Sequence, residues 1–315
     1  MSSILTNTSA MNALSTLRNI NNDLTSTQNR ISTGLKVQSA KDNASYFSIS
    51  QTMKGDSNMY KAINESLTLT KNSVATARLG AESFQELAGQ FVERVAFAQG
   101  ADGGLDEIEA ELAKIVSQMQ TTISQSTFNG SDWVNAAGTT GATAASTIDA
   151  TNGTLTTQAT RVTGTNTIVT GVSRSTGSLT TTSLAVDTVD LTAMLSDFSA
   201  IATGFAANAS DATPAGSETQ GAVFMRGALA TAEAAQAEAI GAATEMGLAE
   251  KSIENQQEFL NNLVDNLQSG VGAMVDANME EEAARLQSLQ VQQQLATQSL
   301  SIANQAPQNI LSLFR

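Results

Sequence analysis

The sequence predicts a mainly α-helical protein: long terminal coiled-coil helices pair the N-terminal half with the C-terminal half, and a small β-rich region lies at the centre and outside. In both terminal parts, apolar residues recur at alternating steps of three and four, the period of a helix seam. Only 2 prolines occur in 315 residues, so long helices can run unbroken. The central segment is instead rich in Thr, Ser and Gly, which favours hairpins and loops.

The N-terminal repeat predicts one helix that a loop ends. Its a/d positions are Leu14, Leu17, Asn21, Leu24, Gln28 and Ile31. The stretch ISTGLKVQSAKDNAS follows, and its glycine and its Ser, Asn and Asp residues predict a bend. A longer repeat from Tyr60 to Ala98 predicts a long helix, which the glycines of Gly100–Gly104 break. The apolar spacing from Leu105 to Met119 predicts a shorter helix that runs back along it.

The character of the chain changes from about Ala136 to Ser183. Short β-prone runs such as RVTGTNTIVTGV lie between glycines, so we expect exposed hairpins and loops. Plain disorder is the alternative, because polar sequence with few apolar residues often stays unfolded.

The helical pattern resumes near Glu218 and continues to Met274. From Met279 the seam is offset by one residue, and its later members include Glu282 and Gln293. A phase slip turns the apolar stripe around the helix. It predicts a joint between two segments that face different neighbours.

The last residues are unusually apolar for a chain end, since Ile310, Leu311, Leu313 and Phe314 crowd together there. The two outermost segments offer one seam each, diluted by polar residues, so we expect them to be mobile in a monomer and to fold on binding other copies. The apolar tail would then be covered in an assembly. The alternative is that it folds back on its own chain.

Composition excludes several classes of function. With a formal net charge of −14, an acidic surface repels phosphates and anionic lipid, so we expect neither a nucleic-acid nor a membrane partner. There is no cysteine and no histidine, which excludes thiolate chemistry, zinc fingers and triads that use histidine. We expect no enzyme and no cofactor, and we interpret the acidic run Glu280–Glu282 as a solvated helix start. The N-terminus lacks the basic and apolar regions of a secretory signal.

Three motifs, in order along the chain, carry a resemblance. The stretch NRISTGLKVQSAKDNAS, the motif STFNG and the ending EEEAARLQSLQVQQQLATQSLSIANQAPQNILSLFR closely resemble the corresponding parts of bacterial flagellins. The resemblance covers about residues 1–130 and 220–315, and the middle carries no match.

The resemblance implies a structural subunit that polymerises into the extracellular flagellar filament for swimming and is exported by the flagellar type III system without a cleaved signal peptide. Implied partners are further copies of the chain, an export chaperone, and cap and hook-associated proteins. We expect three domains: residues 1–40 with 275–315 at the filament core, 41–135 with 216–274 as a helical shell with a β-hairpin, and 136–215 as a variable outer region of strands and loops. The residues expected to drive self-assembly are Leu14, Leu17, Leu24, Ile31, Leu286, Leu289, Leu300, Ile310, Leu311, Leu313 and Phe314.

In the family, innate immune receptors recognise two segments. The one seen by a plant receptor kinase corresponds to Asn29–Ser50, which departs from the family pattern at Asn43 and from Ser45 to Phe47. The one read by an animal Toll-like receptor corresponds to QFVERVAF. Its expected receptor-facing residues are Gln90, Phe91, Glu93 and Arg94. Phe91 replaces an arginine and the Arg-Glu order is inverted, so we expect weakened recognition.

Three alternatives stay open at this stage. A hook–filament junction protein shares the terminal helices but stops after a ring. A type III secretion tip or translocator protein would form stable monomers or small oligomers. An enzyme housed in the middle segment would show turnover that depends on that segment.

Overall fold

A computed structural model describes residues 7–101, 103–135, 145–157, 164–173 and 180–313, with side chains described up to residue 305. The described chain is mainly helical with a few small strand pairs, which confirms the predicted fold class. The helices are α1 (Thr8–Thr33), α2 (Ala44–Ala98), α3 (Leu105–Gln125), α4 (Leu191–Ala202), α5 (Phe205–Ala209), α6 (Gln220–Val275) and α7 (Met279–Leu313). The strands are β1 (Thr147–Ile148), β2 (Leu155–Thr157), β3 (Thr165–Ser173), β4 (Thr180–Asp187), β5 (Pro214–Ala215) and β6 (Glu218–Thr219).

The chain divides into two compact units. Unit 1 comprises Met1–Met59 and Leu263–Arg315, and unit 2 comprises Tyr60–Asn262. The division into three domains that the sequence suggests stays a prediction.

Unit 1 contains α1, which is capped at both ends. The Asn7 side chain accepts a hydrogen bond from the backbone N–H of Ala10 at 3.0 Å. Gly34 ends the helix with a φ of +72°, and its N–H donates to the carbonyl of Arg30 at 2.8 Å. A side chain at this φ would be strained, which explains a glycine where the helix must stop.

The loop after α1 is held against the end of α6. The backbone N–H of Lys36 donates to the Val275 carbonyl at 2.7 Å, and that of Ala277 donates to the Gly34 carbonyl at 2.8 Å. Val37 packs in a small apolar cluster with Val271 and Val275. The non-helical residues 276–278 therefore form a joint between α6 and α7, at the position where the phase slip predicts one.

In unit 2, α2 and α6 run antiparallel. Arg78 pairs with Glu250 at 2.6 Å, and Lys71 pairs with Glu254 at 2.9 Å. The predicted long seam is confirmed, since its members from Leu67 to Ala98 are buried apart from the half-buried Thr70. The predicted glycine break is confirmed as well, because α2 ends at Ala98 and α3 begins at Leu105.

The strands form three antiparallel pairs, β1 with β2, β3 with β4, and β5 with β6. The longest pair sets Thr165 opposite Asp187, with a bulge between Val169 and Gly171. Hydrogen bonds attach this hairpin to the long helices: the Tyr60 hydroxyl donates to the Val172 carbonyl at 2.7 Å, and the Gln256 side chain donates to the Thr170 carbonyl at 3.1 Å. The hairpin therefore lies along the helices of unit 2.

Between residues 136 and 215 the composition predicts strands and loops only, but α4 and α5 are helical. Asp190 caps α4 by accepting from the backbone N–H of Ala193 at 2.9 Å. The apolar residues of α4 follow a helical spacing and are buried in the core of unit 2. They are Leu191, Met194, Leu195, Phe198 and Ile201. This helical spacing was readable in the sequence. It was missed because α4 is short and lies in a segment that was assigned to strands and loops from its Ser, Thr and Gly content.

Candidate assembly surface

The pairing of α1 with α7 in unit 1 is antiparallel, and polar side chains make contacts at both ends of the pair and between them. Near one end, Arg30 Nη1 lies 3.2 Å from Glu282 Oε1. Further along, the Gln293 side chain donates to Asn21 Oδ1 at 2.7 Å. At the other end, the Asn7 side chain donates to the carbonyl of Ala303 at 2.8 Å. Polar groups in a helix seam weaken it and specify its register.

Little of this pairing is apolar and fully buried. Ile20 of α1 and Leu289 of α7 are buried, together with the polar residues Thr27 and Glu282. The side chain of Glu282 is only 10% exposed, and its second oxygen, Oε2, has no hydrogen-bond partner in the described part of the chain. An unsatisfied buried oxygen of this kind weakens the pairing.

The sequence-predicted assembly residues lie mostly inside this pairing. Leu289 is buried, and the half-buried ones are Leu17, Leu24, Ile31, Leu286 and Leu300. Leu14 is an exception, since it is 38% exposed. Three members of the predicted seam of α1, Leu14, Asn21 and Gln28, are exposed, although the Asn21 side chain still contacts Gln293 of α7. The buried positions of α1 are Ile20 and Thr27. Asn21 and Gln28 lie directly after the buried Ile20 and Thr27 along the helix.

For the tail, the structure describes the backbone of Ile310, Leu311 and Leu313 as part of α7 but not their side chains. Phe314 lies outside the described residues.

A second apolar stripe, which sequence reasoning missed, lies on the other side of α7. Val291, Leu295 and Ile302 are each more than half exposed, and their spacing of four and seven residues places them on one helix face. Met11 of α1 is exposed to a similar degree. The spacing was readable in the sequence, but it was overlooked beside the stronger seam. We call Val291, Leu295 and Ile302 the outer stripe.

Among the described residues, no helix is long and apolar enough to cross a membrane. The same part of the chain contains no cluster of acidic side chains arranged to hold a metal ion.

Comparison with known families agrees with the arrangement of terminal helices. The N-terminal helical region of bacterial flagellin matches residues 4–139, and the C-terminal helical region of bacterial flagellin matches residues 229–314. Whole-chain relatives agree. The chain is 36% identical to a flagellin of Brucella melitensis over the full length of both proteins. It is 33% identical to flagellin C and 32% identical to flagellin A of Rhizobium meliloti, again over the full length of each chain.

The chain belongs to the bacterial flagellin family. Members of this family are structural proteins that build the flagellar filament, and the resemblance inferred from the terminal motifs is confirmed. The relatives named here are all flagellins, so the comparison does not favour a junction protein or a secretion tip protein.

The segment of α2 for which the sequence predicts weakened receptor contact is only partly exposed. Gln90, Glu93 and Arg94 are exposed, and Arg94 Nε lies 3.1 Å from Glu111 Oε2 of α3. Phe91 is fully buried, with its ring centroid 5.1 Å from that of Phe198 in α4. The side chain of Phe91 therefore faces the core of unit 2.

Proposed function

We propose that this member of the flagellin family polymerises through the surface of α1 and α7, and that the outer stripe is the part of α7 that neighbouring copies cover. The observation that carries the proposal is the one-sided burial of α7. Its seam faces α1, while Val291, Leu295 and Ile302 remain exposed on the other face.

Contact with further copies would remove this apolar surface from water, which is the main favourable term in association. Fully burying one Leu or Ile side chain contributes roughly 1.5–3 kcal/mol. Heterologous contacts between identical subunits give an open helical polymer, so a surface that lies away from the internal pairing is what a filament requires.

The division of labour along the chain belongs to the same proposal. Residues 1–40 with 275–315 would lie at the filament core, 41–135 with 216–274 would form the surrounding shell, and 136–215 would face outward. The tail residues Ile310, Leu311, Leu313 and Phe314 would add to the core contacts.

Export would follow the flagellar type III route, without a cleaved signal peptide. The absence of cysteine from the sequence supports this, because no disulfide would hinder the passage of an unfolded chain. An export chaperone, a cap and hook-associated proteins would be further partners. We expect no catalytic activity, since the sequence has neither histidine nor cysteine.

Recognition by the animal Toll-like receptor would be weak. Because Phe91 is buried against Phe198, only Gln90, Glu93 and Arg94 of this patch would be available to contact the receptor. A reporter assay with purified protein tests this, and potent activation would contradict it.

The test of the main proposal is seeded polymerisation, followed by sedimentation and negative-stain microscopy. Four proteins are compared: the intact chain, a chain that lacks residues 304–315, the variant Leu295→Asp and one control variant. Gln294→Asp is the matched control, because it places the same carboxylate on an exposed position of the same helix.

We expect long filaments from the intact chain and the control, and soluble subunits from the truncated chain and Leu295→Asp. If Leu295→Asp polymerises as readily as Gln294→Asp, the outer stripe is not the covered surface. If the intact chain forms only small oligomers, the proposal of a filament subunit fails.

A further inference from the structure

Unit 1 contains a polar cleft beside the pairing of α1 with α7. It encloses about 530 Å³ between one face of α1 and the loop that follows it. Asn22, Asn29 and Arg30 line it from the helix, and Lys36, Lys41 and Asp42 line it from the loop. Every lining residue is polar, and three of them are cationic. In a chain with a formal net charge of −14, such a concentration of cations is unusual.

Two of the three cations have no acidic partner within the described residues. Arg30 pairs with Glu282, so its charge is matched inside unit 1. Lys36 reaches only a backbone carbonyl, that of Ala273, at 3.5 Å. Lys41 is exposed, and neither lysine forms an ion pair with any residue that the structure describes. The two ammonium groups can therefore bind an anionic group from outside unit 1.

Asp42, the acidic residue that lines the cleft, does not neutralise the two lysines, because its carboxylate is hydrogen-bonded within its own loop. Asp42 Oδ2 accepts hydrogen bonds from the backbone N–H groups of Gln38 and Ser39, both at 3.0 Å. It also accepts from the Ser39 hydroxyl at 3.1 Å. The carboxylate therefore holds the shape of the loop that carries the two lysines.

Charge is distributed very unevenly along the chain. Unit 2 holds 22 of the 30 acidic residues and 9 of the 16 basic ones, whereas unit 1 holds 8 acidic and 7 basic residues. Almost the whole negative charge of a subunit therefore lies in unit 2. In the proposed polymer, unit 1 of one copy would meet the acidic unit 2 of other copies at a high effective concentration.

We propose that the cleft of Lys36 and Lys41 binds an acidic surface of unit 2 from a neighbouring copy of this chain. This inference rests on the proposed polymerisation and adds to it a specific charged contact, away from the outer stripe of α7. Complementary charges of this kind select register and orientation between subunits more than they add affinity. The contact would also place two cations among carboxylates that otherwise repel one another when copies pack together.

The first test compares two double variants that carry the same net charge. The cleft variant is Lys36→Gln with Lys41→Gln. The control is Lys61→Gln with Lys114→Gln, two exposed lysines of unit 2 that form no ion pair within the described chain. Circular dichroism and thermal melting are measured first, to establish that both variants fold as the unaltered chain does.

Seeded growth then gives the critical concentration of each protein. We expect the cleft variant to require about fivefold more protein than the control at low salt, and the difference to shrink at high salt as the charges are screened. Equal critical concentrations for the two variants would overturn the inference.

The second test identifies the partner. Filaments grown from equal parts of ¹⁴N- and ¹⁵N-labelled protein are treated with a zero-length carbodiimide, which joins an amine directly to a carboxylate. Mixed-isotope peptides that link Lys36 or Lys41 to an acid within residues 60–262 support the inference. Links found only within one subunit, or only to residues of unit 1, would overturn it.

These outcomes separate the inference from the function on which it rests. If the unaltered chain and both variants grow filaments alike, the subunit function stands and the cleft contact is wrong. If the unaltered chain forms no filament, the proposed function fails and the inference fails with it.

Discussion

Phe198 of α4 and Phe91 of α2 pack edge to face, with ring centroids 5.1 Å apart and ring planes at 69°. A second ring of α2, that of Phe84, lies 6.0 Å from the same Phe198 ring. All three side chains are fully buried. Edge-to-face pairs of this kind contribute about 0.5–1.5 kcal/mol beyond the burial of their surface. One residue of the middle segment therefore anchors that segment to the long helix of unit 2.

Replacing Phe198→Ala removes both ring contacts and leaves a cavity in the core. We expect the free energy of unfolding of unit 2 to fall by about 3–5 kcal/mol. Urea denaturation measures it through the fluorescence of Trp133, the one tryptophan of the sequence, which is buried in unit 2. Phe97→Ala is the control, because Phe97 is 65% exposed and should change the value by about 0.5 kcal/mol or less. Equal losses in the two variants would contradict the role given to Phe198.

Substituting alanine for each of two glycines of α6 should change the stability of unit 2 in opposite directions. A Cβ on Gly227 would lie 1.7 Å from the carbonyl oxygen of Asn152, in the turn between β1 and β2. A Cβ on Gly241 would meet nothing within 4 Å. We expect Gly227→Ala to destabilise unit 2 by about 1–3 kcal/mol, because the turn must move. Gly241→Ala should stabilise it by about 0.5–1 kcal/mol through the helix propensity of alanine.

Thermal unfolding, monitored by helical circular dichroism, measures both glycine variants. A stabilising effect of Gly227→Ala would show that the turn does not pack on α6 in solution.

Loss of the ion pair between Arg30 and Glu282 should destabilise unit 1 mainly because it leaves the Glu282 carboxylate buried without a partner. In Arg30→Met, the carboxylate of Glu282 stays mostly buried without its ion-pair partner, which destabilises the pairing of α1 with α7 by about 1–3 kcal/mol. The double variant Arg30→Met with Glu282→Leu should recover part of this loss, because no charge is left buried.

Hydrogen exchange of the backbone amides in α1 and α7 measures the free energy of opening of this helix pair. Arg18→Met is the matched control, since Arg18 lies exposed on the same helix. If the double variant opens as readily as the single variant, a buried charge is not the reason for the loss.

The loop that carries Lys36 and Lys41 should loosen at acidic pH. Hydrogen bonds from the backbone N–H groups of Gln38 and Ser39 lower the pKa of Asp42 below its ordinary value. Because the folded loop favours the ionised form, its stabilisation is fully present above the unfolded pKa of about 4 and is lost as the pH falls through the lowered folded value.

Exchange rates of the Gln38 and Ser39 amides, corrected for intrinsic chemistry, should therefore show protection that declines only in the acidic range. In Asp42→Asn the corrected protection should be lower at neutral pH and should not change over that range. Protection that is independent of pH in the unaltered chain would contradict the assignment.

Much of unit 2 could be predicted because its helices are long and strongly periodic. The seam of α2 from Leu67 to Ala98 needs no knowledge of its partner, since only one face of that helix is apolar over many turns. The glycines of Gly100–Gly104 and the phase slip before Met279 likewise mark interruptions by local chemistry alone. Helix α4 escaped prediction because its 12 residues lie between segments of strand-forming and turn-forming composition.

In the candidate assembly surface, periodicity left a choice open. Positions such as Ile20 and Asn21 of α1 are only about 100° apart around a helix, so either could face a partner. The periodicity favours a seam that includes Leu14, but the partner helix α7 covers Ile20 and leaves Leu14 exposed. The exposed outer stripe of α7 became visible only once the face covered by α1 was known.

The sequence by itself determined the helical class, the glycine breaks, the joint before α7 and membership of the flagellin family, because each depends on residues close together in the chain. Only the tertiary structure decided which face of α1 is covered, that Phe91 points into the core, and that Lys36 and Lys41 line one cleft. Those outcomes depend on contacts between residues far apart in sequence, and such contacts are decided by how whole faces pack against one another.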